Sequence, residues 1–352
     1  MEPVRIGIIG CGVISKSHLE LAAKSSVAKV VAVADIIEER AVGRAQEFGI
    51  AKHYDGDESL LRDDNVEAVV LAMPAGVRST VAVKALKRGK HVLLEKPVAR
   101  SVKEVKRLMD LRGDLVVGCC SSRYTFTGHA RVAAECYATG ALGQVRMASI
   151  RALRPAFAPP QAPPPTWRQS MDENGGGILV NWSCYELNYI LHIMDWQLKP
   201  REVLAHWWPT APRMSAYVAP GSDADAHYTA LIRCEDGIVL NMQRAEFCTT
   251  PVDQAWQIVG SDASLAMPMV RQDEKTDAVV LHKFVESTGI VSRNLWEAAQ
   301  GSEDQGNVLD DFASAIRSGG RPRTDLERAL VLQKVTDAIY KSAKSGKSVS
   351  IT

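Results

Sequence analysis

Two short motifs carry the residue types that could do chemistry in this chain of 352 residues. The first is a glycine motif at residues 10–15, GCGVIS, and the second is EKP at residues 95–97. Each follows a short apolar run, so each lies at the end of a predicted strand. Backbone N–H groups of a glycine turn can bind phosphate, and a lysine at a strand end can orient a substrate oxygen.

The glycine motif is typical of a dinucleotide-binding turn. Gly10 permits the tight turn, Gly12 lets the backbone approach a pyrophosphate, and Ser15 replaces the third glycine with another small residue. Asp35 ends the next apolar run, at the spacing of about 20 residues at which a carboxylate binds ribose hydroxyls. That carboxylate repels a 2′-phosphate, and Ile36 offers no cation to replace it. The sequence therefore predicts a dinucleotide site rather than a glycine turn beside a solvated aspartate. Of the two dinucleotides, it predicts NAD rather than NADP.

Lys96 follows the apolar run at residues 91–94 and precedes Pro97. A proline restricts the residue before it to an extended or turn conformation, which fixes where the ammonium points. A lone lysine at a strand end is more often a surface cation. Its place in a crevice beside a dinucleotide favours a catalytic role instead. The further predicted cofactor-binding residues are Val13, Ile14, Met73, Pro74, Glu95, Lys96 and Arg168.

The alternation of apolar runs and amphipathic segments predicts the fold class. Valine-rich runs begin near residues 4, 28, 67, 91 and 115, and helical patterns lie between them. This order is typical of a doubly wound parallel sheet, which binds ligands at the carboxyl ends of its strands. Later strand-like segments, with a tight turn at residues 235–237, predict a largely antiparallel second sheet. We therefore expect an α/β protein with an NAD-binding domain at 1–122 and a substrate-binding and oligomerisation α/β domain at 123–352.

A helix predicted over residues 178–194 follows a glycine triplet and carries a polar stripe. Asn181, Tyr185, Asn188 and His192 recur at intervals that place them on one face of the helix. Because unpaired buried polar groups cost roughly 1–3 kcal/mol each, the stripe either meets internal partners or lines a pocket. Four polar residues in a row favour the pocket, whereas His192 taken alone is better explained as a hydrogen-bonded core histidine.

Composition excludes several classes of partner. The net charge is +1 and the basic residues are interspersed with acidic ones, so no surface for nucleic acid or anionic lipid is indicated. No apolar stretch reaches the roughly 18–20 residues that span a bilayer. The seven cysteines form no C-x-x-C pair, which indicates free thiols in the cytoplasm and no zinc site. We expect small-molecule substrates, self-association and no metal.

These residues together resemble the glucose-fructose oxidoreductase/inositol dehydrogenase/MocA family over nearly the whole chain. The resemblance rests on the glycine motif, Asp35, the EKP motif, the glycine triplet with its polar helix, and the last two helices. It implies a Rossmann domain followed by an α/β domain whose open sheet commonly forms an oligomer interface. A homodimer or homotetramer through that sheet is the implied assembly.

The chain departs from the family where its catalytic histidine stands. Many members have histidine at the position of Tyr185 and carboxylates nearby, whereas this chain has Asn181, Ser183 and Asn188 around the tyrosine. It therefore resembles the smaller set with tyrosine in this position. Arg78 is a second departure, because many members have histidine there.

The resemblance implies acid–base chemistry by Tyr185 and Lys96. A phenol has an ordinary pKa near 10, and an ammonium within about 4–6 Å lowers it. Tyr185 would exchange the proton of a secondary alcohol while Lys96 orients its oxygen and Asn181 and Asn188 donate hydrogen bonds. The implied contacts to substrate or nicotinamide are Arg123, Trp167, Arg168 and His192.

Three functions follow as alternatives. The first is an NAD-dependent dehydrogenase or reductase that acts on a sugar, a cyclitol or a related polyhydroxylated ring. The second retains NAD and uses transient oxidation to permit elimination or glycoside hydrolysis. The third is a sensor of NAD or sugar without catalysis, suggested by the missing histidine and carboxylates.

Overall fold

The structure is a computed structural model that describes residues 2–162, 164–270, 277–300, 304 and 306–352. Its strands are β1 (Val4–Ile9), β2 (Ala28–Ala34), β3 (Lys52–Tyr54), β4 (Ala68–Leu71), β5 (His91–Leu94), β6 (Val117–Cys119), β7 (Val145–Pro155), β8 (Pro200–Pro209), β9 (Asp225–Cys234), β10 (Val239–Cys248), β11 (Asp253–Gly260), β12 (Ala263–Met267), β13 (Ala278–Val285), β14 (Gly289–Glu297) and β15 (Val349–Ser350). Its α-helices are α1 (Val13–Lys24), α2 (Glu38–Phe48), α3 (Asp57–Leu61), α4 (Ala75–Lys87), α5 (Val102–Arg112), α6 (Gly128–Ala138), α7 (Met171–Asn174), α8 (Cys184–Ile193), α9 (Val308–Ser318) and α10 (Leu326–Ser345).

The chain forms two compact units. The first comprises residues up to Arg123 together with Asp172–Gly175 and Gly306–Gln333, and the second holds the remainder. This grouping is not continuous along the chain, because α9 and the first eight residues of α10 belong with the N-terminal strands. The predicted domain boundary at 122/123 stays a prediction.

The first unit contains a parallel six-stranded sheet in the order β3-β2-β1-β4-β5-β6. Its strands are paired in parallel throughout, and β1, β4 and β5 are almost entirely buried, as a sheet covered on both faces requires. The strand order reverses between β1 and β4, which is where a doubly wound sheet binds its ligand. The predicted parallel α/β fold is confirmed.

The end of the chain completes the core of this first unit. Leu326 and Ala329 of α10 are buried in the same apolar cluster as Leu94 and Leu108. Arg317 of α9 forms an ion pair with Glu67 at 2.9 Å. Burial of these apolar side chains stabilises the unit by roughly 25 cal/mol for each Å² removed from water.

The second unit contains a nine-stranded sheet in the order β14-β13-β12-β11-β7-β10-β9-β8-β15. Its strand pairs are antiparallel except β7 with β10, so the predicted, largely antiparallel second sheet is confirmed. A 3₁₀ turn at Glu235–Gly237 joins β9 to β10, with Asp236 at a φ of 57°. Helices α6 and α8 pack together, and α6 also contacts β12, β13 and β14.

The sequence predicted one continuous helix over residues 178–194 for the polar stripe, and the structure differs from this prediction. A π-helical turn at Leu179–Ser183 precedes α8. Such a turn holds one residue more than an α-turn and occurs mostly at functional sites, so it rotates Asn181 relative to the α-helical part of the stripe. Within the described part of the chain, no helix has the length and apolar character needed to cross a membrane.

Candidate active site

The glycine turn between β1 and α1 is built for close approach to a ligand. Gly10 has a φ of 98°, and a Cβ there would lie 2.5 Å from the Ala72 carbonyl oxygen. Gly12 is the N-cap of α1 and provides no side-chain cap, and a Cβ on it would meet open space. The first N–H groups of α1 therefore face a space where an anion can accept their hydrogen bonds. Ser15 is buried and donates to the Gly12 carbonyl at 2.6 Å, which ties the turn to the helix.

Asp35 lies at the end of β2 against this turn. Its carboxylate accepts the backbone N–H of Cys11 at 2.7 Å and that of Ile37 at 2.9 Å. Each oxygen keeps a further acceptor site, so the carboxylate can still bind hydroxyl groups. Burial and the Asp35 charge raise the pKa of the Cys11 thiol to about 12, so this thiol stays neutral.

The surroundings of the turn fit an adenosine dinucleotide. The apolar side chains of Val13 and Ile36 are 92% and 88% exposed, one on α1 and the other directly after Asp35. Exposed apolar residues beside uncapped helical N–H groups and a ribose-spaced carboxylate form a surface that a nucleotide would cover. Met73 and Pro74, at the next strand end, are half-buried, and Pro74 caps α4 without a side-chain hydrogen bond.

Arg44 is a residue near the turn that the sequence reasoning missed. From α2, its Nε contacts the Ser15 hydroxyl and its Nη2 contacts the Gly12 carbonyl, both at 3.3 Å. The guanidinium also pairs with Glu47. The only signal in the sequence was a basic residue in the second turn of the helix that follows Asp35. It places a cation at the glycine turn, where none was predicted.

Arg78 holds the segment that carries Lys96. It lies on α4, is 3% exposed, and donates hydrogen bonds to the carbonyl oxygens of Met73, Glu95, Lys96 and Pro97. The guanidinium thus joins the loop after β4 to the loop after β5. The Lys96–Pro97 peptide bond is cis, and the Lys96 backbone N–H donates to the Glu95 carboxylate at 3.0 Å. Lys96 is therefore presented from a loop fixed at several backbone atoms.

Glu95 is the centre of a buried network in the first unit. Its Oε1 lies 2.9 Å from His18 Nε2 and accepts a hydrogen bond from Arg123 Nη2 at 2.8 Å. Burial alone would raise the pKa of Glu95, but the His18 hydrogen bond and the charges of Arg123 and Lys96 hold it well below its ordinary value. Glu95 is therefore an ionised anchor, and Arg123 lies against it. The predicted contact of Arg123 with substrate stays a prediction.

Cys120 completes a cluster that the sequence spacing did not reveal. The ligand atoms of His18, Glu95 and Cys120 all lie within 4.8 Å of one another, in the part of the chain that the structure describes. Burial raises the pKa of the Cys120 thiol well above its ordinary value, and Arg123 already binds the shared carboxylate oxygen. A cation bound there would lie beside the Arg123 guanidinium, so the cluster suits an ion-pair network better than a metal.

In the second unit, the end of the glycine triplet is fixed by a buried carboxylate. Asp225 accepts the backbone N–H groups of Gly177 at 2.8 Å and Leu179 at 2.9 Å, and Tyr340 donates to it at 2.5 Å. A Cβ on Gly176 would lie 1.9 Å from the Tyr340 hydroxyl. Burial raises the pKa of Asp225. This carboxylate caps the helical N-terminus from which Tyr185 is presented.

Tyr185 lies among aromatic rings on α8. It is 3% exposed, and its ring makes edge contacts with Tyr124 at 5.1 Å and Trp182 at 5.9 Å between centroids. The guanidinium of Arg244 lies 4.7 Å from the Trp182 ring centre, a cation–π contact. The phenol is therefore held by rings on two sides, and a cation supports one of those rings.

Arg244 belongs to a second buried network that the sequence reasoning missed. It forms an ion pair with Glu186, which is also fully buried. Ser183 donates to the other Glu186 oxygen at 3.0 Å, and Tyr228 donates to Ser183 at 2.6 Å. Burial, followed by the Glu186 charge, raises the pKa of Tyr228 well above its ordinary value. The network holds the C-terminal end of the π turn at Ser183, whereas the glycine triplet precedes its N-terminal end.

The remaining predicted site residues of the second unit are placed as follows. Asn181 is buried and its Nδ2 donates to the Arg168 carbonyl at 2.9 Å, so this side chain has an internal partner. Asn188 is buried, and His192 is half-buried near the end of α8. Trp167 is half-buried and Arg168 exposed on a 3₁₀ turn, Thr166–Gln169. Their roles toward a substrate stay predictions.

Comparison with known proteins supports the family directly. The model of the NAD-binding Rossmann domain of the Gfo/Idh/MocA oxidoreductase family matches residues 4–115, and that of its C-terminal α/β domain matches residues 134–351. D-xylose 1-dehydrogenase (NADP(+)) 2 of Haloferax volcanii is 25% identical over 98% of this chain and 99% of its own. Myo-inositol 2-dehydrogenase of Thermotoga maritima is 24% identical over 99% of this chain and 98% of its own.

A solved structure shows the same fold. Levoglucosan dehydrogenase in complex with NADH and L-sorbose superposes with a TM-score of 0.84 at 20% identity, covering 100% of both chains. Both halves of the present chain thus match, in sequence pattern and in fold. The chain belongs to the glucose-fructose oxidoreductase/inositol dehydrogenase/MocA family of oxidoreductases.

Proposed function

We propose that this protein is an NAD-dependent oxidoreductase that transfers hydride between nicotinamide and a secondary alcohol or ketone of a sugar, a cyclitol or a related polyhydroxylated ring. The observation that carries the proposal is Lys96. It lies at the carboxyl end of a parallel sheet that has a dinucleotide-type turn, on a loop held by Arg78 and Glu95. The names of the relatives, which are dehydrogenases of xylose, inositol and levoglucosan, support the substrate class.

The residues divide the work as follows. The bound dinucleotide supplies the acceptor or donor of hydride. Lys96 orients the substrate oxygen, and Tyr185 takes its proton during oxidation or returns it during reduction. Asn181 and Asn188 support Tyr185 from the same helical segment. Trp167, Arg168, Arg123 and His192 contact the substrate or the nicotinamide.

We propose NAD rather than NADP because Asp35 presents a carboxylate at the ribose position. A 2′-phosphate would meet this charge at close range, which costs binding energy. Arg44 contacts the glycine turn, and its guanidinium also pairs with Glu47. The name of one relative specifies NADP, so the preference needs a direct measurement.

We also propose that the protein forms a homodimer or homotetramer in the cytoplasm. On the second sheet, Leu204 and Leu231 are paired across β8 and β9, and both side chains are half exposed. Adjacent exposed apolar residues on a sheet mark a surface that another subunit can cover. The seven cysteines are free thiols, which fits a reducing compartment.

The function is tested by a screen of sugars, cyclitols and sugar acids with NAD and with NADP, followed by the absorbance of the reduced nicotinamide. We expect turnover of at least one polyhydroxylated ring, faster with NAD, and its loss in Lys96→Ala. Turnover without net reduction, with NAD retained through gel filtration, would point instead to transient oxidation. A wild-type protein that binds NAD but converts nothing in the screen would contradict the proposal.

A further inference from the structure

A cleft in the second unit has the residues of a sugar-binding site, and Arg168 is the one lining residue that is also assigned above to the substrate or the nicotinamide. Its volume is about 350 Å³, near the lower end of the roughly 300–1,000 Å³ of small-molecule sites. Its walls come from the end of β7, the proline-rich segment after it (residues 156–162 and 164–165), the 3₁₀ turn at Pro212–Tyr217 and the end of β10. The residues that matter below are Arg154, Phe157, Arg168, Tyr217, Glu246 and Phe247.

The aromatic wall of the cleft includes a residue in a strained backbone conformation. Phe247 has a φ of 58°, a left-handed conformation that a bulky residue rarely adopts. The register of β10 against β7 shifts between Ala245 and Cys248, so Phe247 lies in a bulge. Bulges re-aim side chains, and strained residues cluster at ligand sites. Here the bulge lines the cleft with the Phe247 ring, stacked on Tyr217 at 5.0 Å between centroids.

Further contacts hold the proline-rich segment and the turn that carries Arg168, both of which line the cleft. The Tyr217 hydroxyl donates to the Phe157 carbonyl, which fixes the proline-rich segment to the 3₁₀ turn. The Phe157 side chain is 65% exposed. Asp223 donates its backbone N–H to the Gln169 carbonyl at 3.1 Å, which supports the turn that carries Arg168. Specific hydrogen bonds therefore hold the walls of the cleft in place, and the Phe157 ring stays exposed.

Two contacts join the cleft to the segment that carries Tyr185. The carbonyl of Arg168, a lining residue, accepts the Asn181 side chain one turn before Tyr185. Glu246, another lining residue, lies 3.7 Å from Arg244, which in turn contacts the Trp182 ring beside Tyr185. Tyr185 and the residues that line the cleft therefore belong to the same unit.

The polar groups of the cleft select the chemistry of the ligand. Arg154 and Arg168 offer only donors, whereas the Glu246 carboxylate offers only acceptors. Each hydroxyl group of a sugar can both donate and accept, so a polyhydroxylated ring can form hydrogen bonds with each of these side chains. An anion would accept from the arginines but be repelled by Glu246. The aromatic rings can cover the apolar C–H face of the ring.

We propose that this cleft binds a second, neutral sugar ring, so that the substrate is a disaccharide or a larger glycoside. The inference rests on the proposed function, because it takes the reacting ring to lie at Tyr185. It makes Arg154, Tyr217, Glu246 and Phe247 the residues that distinguish a glycoside from a free monosaccharide.

The test is calorimetric binding to the full-length protein in the presence of NADH. The ligands are three matched pairs, D-glucose with cellobiose, D-galactose with lactose, and D-xylose with xylobiose. We expect at least one disaccharide to bind about tenfold tighter than its monosaccharide, which corresponds to roughly 1.4 kcal/mol. Phe247→Asn keeps a residue that tolerates the left-handed backbone and removes the ring, and Arg154→Met removes the donors. Each should reduce that preference at least threefold and leave monosaccharide binding unchanged.

Phe284→Asn is the matched control, because Phe284 is an exposed aromatic residue on β13 and does not line the cleft. It should leave both affinities as in the wild type. The inference is overturned if no disaccharide exceeds its monosaccharide, or if the preference survives both cleft variants. Disaccharide binding that depends on Phe247 without any turnover would uphold the cleft and remove the proposed reaction. Turnover of monosaccharides without a disaccharide preference would uphold the proposed reaction and remove the proposed role of the cleft.

Discussion

The carboxylate of Asp225 accepts the backbone N–H of Gly177 at 2.8 Å, and a Cβ on that glycine would lie 1.9 Å from the Asp225 carbonyl oxygen. The close approach leaves no room for a side chain at the start of the Tyr185 segment. We expect Gly177→Ala to lower the free energy of unfolding by roughly 3 kcal/mol or more, measured by urea denaturation. Gly43→Ala in α2, where a Cβ meets open space, should instead raise it by roughly 0.5–1 kcal/mol. Equal stability of the two variants would show that the backbone is not tightly packed there.

Glu95→Gln should change how stability depends on pH. The folded-state pKa of Glu95 is lowered from 4.5, so its contribution is present above about pH 4.5 and is lost as the pH falls through the lowered value. At pH 7 the variant should be less stable by roughly 3–5 kcal/mol, because Arg123 and His18 lose a buried partner. That difference should shrink between pH 4.5 and 3 in denaturation curves. Glu135→Gln, at an exposed ion pair, should show almost no difference at either pH, and a constant deficit for Glu95→Gln would contradict the assigned charge.

Arg78→Met should loosen the Lys96 loop. Four carbonyl oxygens would lose a donor, and each unsatisfied buried group costs about 1–3 kcal/mol. We expect a large loss of thermal stability and a lower kcat, with Arg78→Lys intermediate because an ammonium has only three donors. Arg88→Met at the end of the same helix is the control, since its side chain is 46% exposed and should change stability by less than about 0.5 kcal/mol. Full activity of Arg78→Met would exclude a positioning role.

Asp35→Ala tests the choice of cofactor. The change removes the ribose-spaced carboxylate and also the acceptor of the Cys11 and Ile37 N–H groups. We expect NAD binding to weaken roughly tenfold or more, consistent with the loss of a charged hydrogen-bond acceptor, while NADP binding changes less. Fluorescence titration with both reduced cofactors measures the ratio. An unchanged ratio would mean that another group, such as Arg44, determines the preference.

Tyr185→Phe tests the proton-transfer group. Removal of the hydroxyl should lower the chemical step by roughly 10²–10⁴-fold, the usual contribution of an acid–base residue. Tyr189→Phe one turn later is a matched control, because Tyr189 is also buried and its hydroxyl donates to the Pro268 carbonyl at 2.7 Å. That variant should lose roughly 1 kcal/mol of stability and keep its turnover. Single-turnover kinetics should separate the two variants, and similar rates for both would remove Tyr185 from the reaction.

The periodicity of the sequence predicted most of the strands because burial on one or both faces leaves a local pattern. The runs at residues 4–9, 28–34 and 91–94 correspond to β1, β2 and β5, and the run at 278–285 corresponds to β13. Short elements were missed, including β3 and α3, since three to five residues show too little periodicity. The return of α9 and α10 to the first unit was also missed, because local pattern does not report which core a helix joins.

The candidate site was predicted in part. The glycine turn, Asp35 and Lys96 lie at strand ends, and strand ends can be located from sequence. Arg78 and His18, which hold the Lys96 loop and Glu95, and Arg244, which supports the Tyr185 segment, are distant in the chain from what they contact. Their single sequence signal was a charged or polar residue within an apolar segment. The π turn was not predictable, because its extra residue does not interrupt the apolar pattern.

Leu326 and Ala329 lie in the core of the first unit, so this core is completed only late in the synthesis of the chain. Residues 1–123 leave the ribosome first, yet the apolar cluster that they form includes two side chains made more than 200 residues later. An N-terminal fragment would therefore expose apolar surface that the intact chain covers. The nucleotide-binding unit begins the chain but is completed near its end, and an excised version must carry Gly306–Gln333 to be a fair mimic of it.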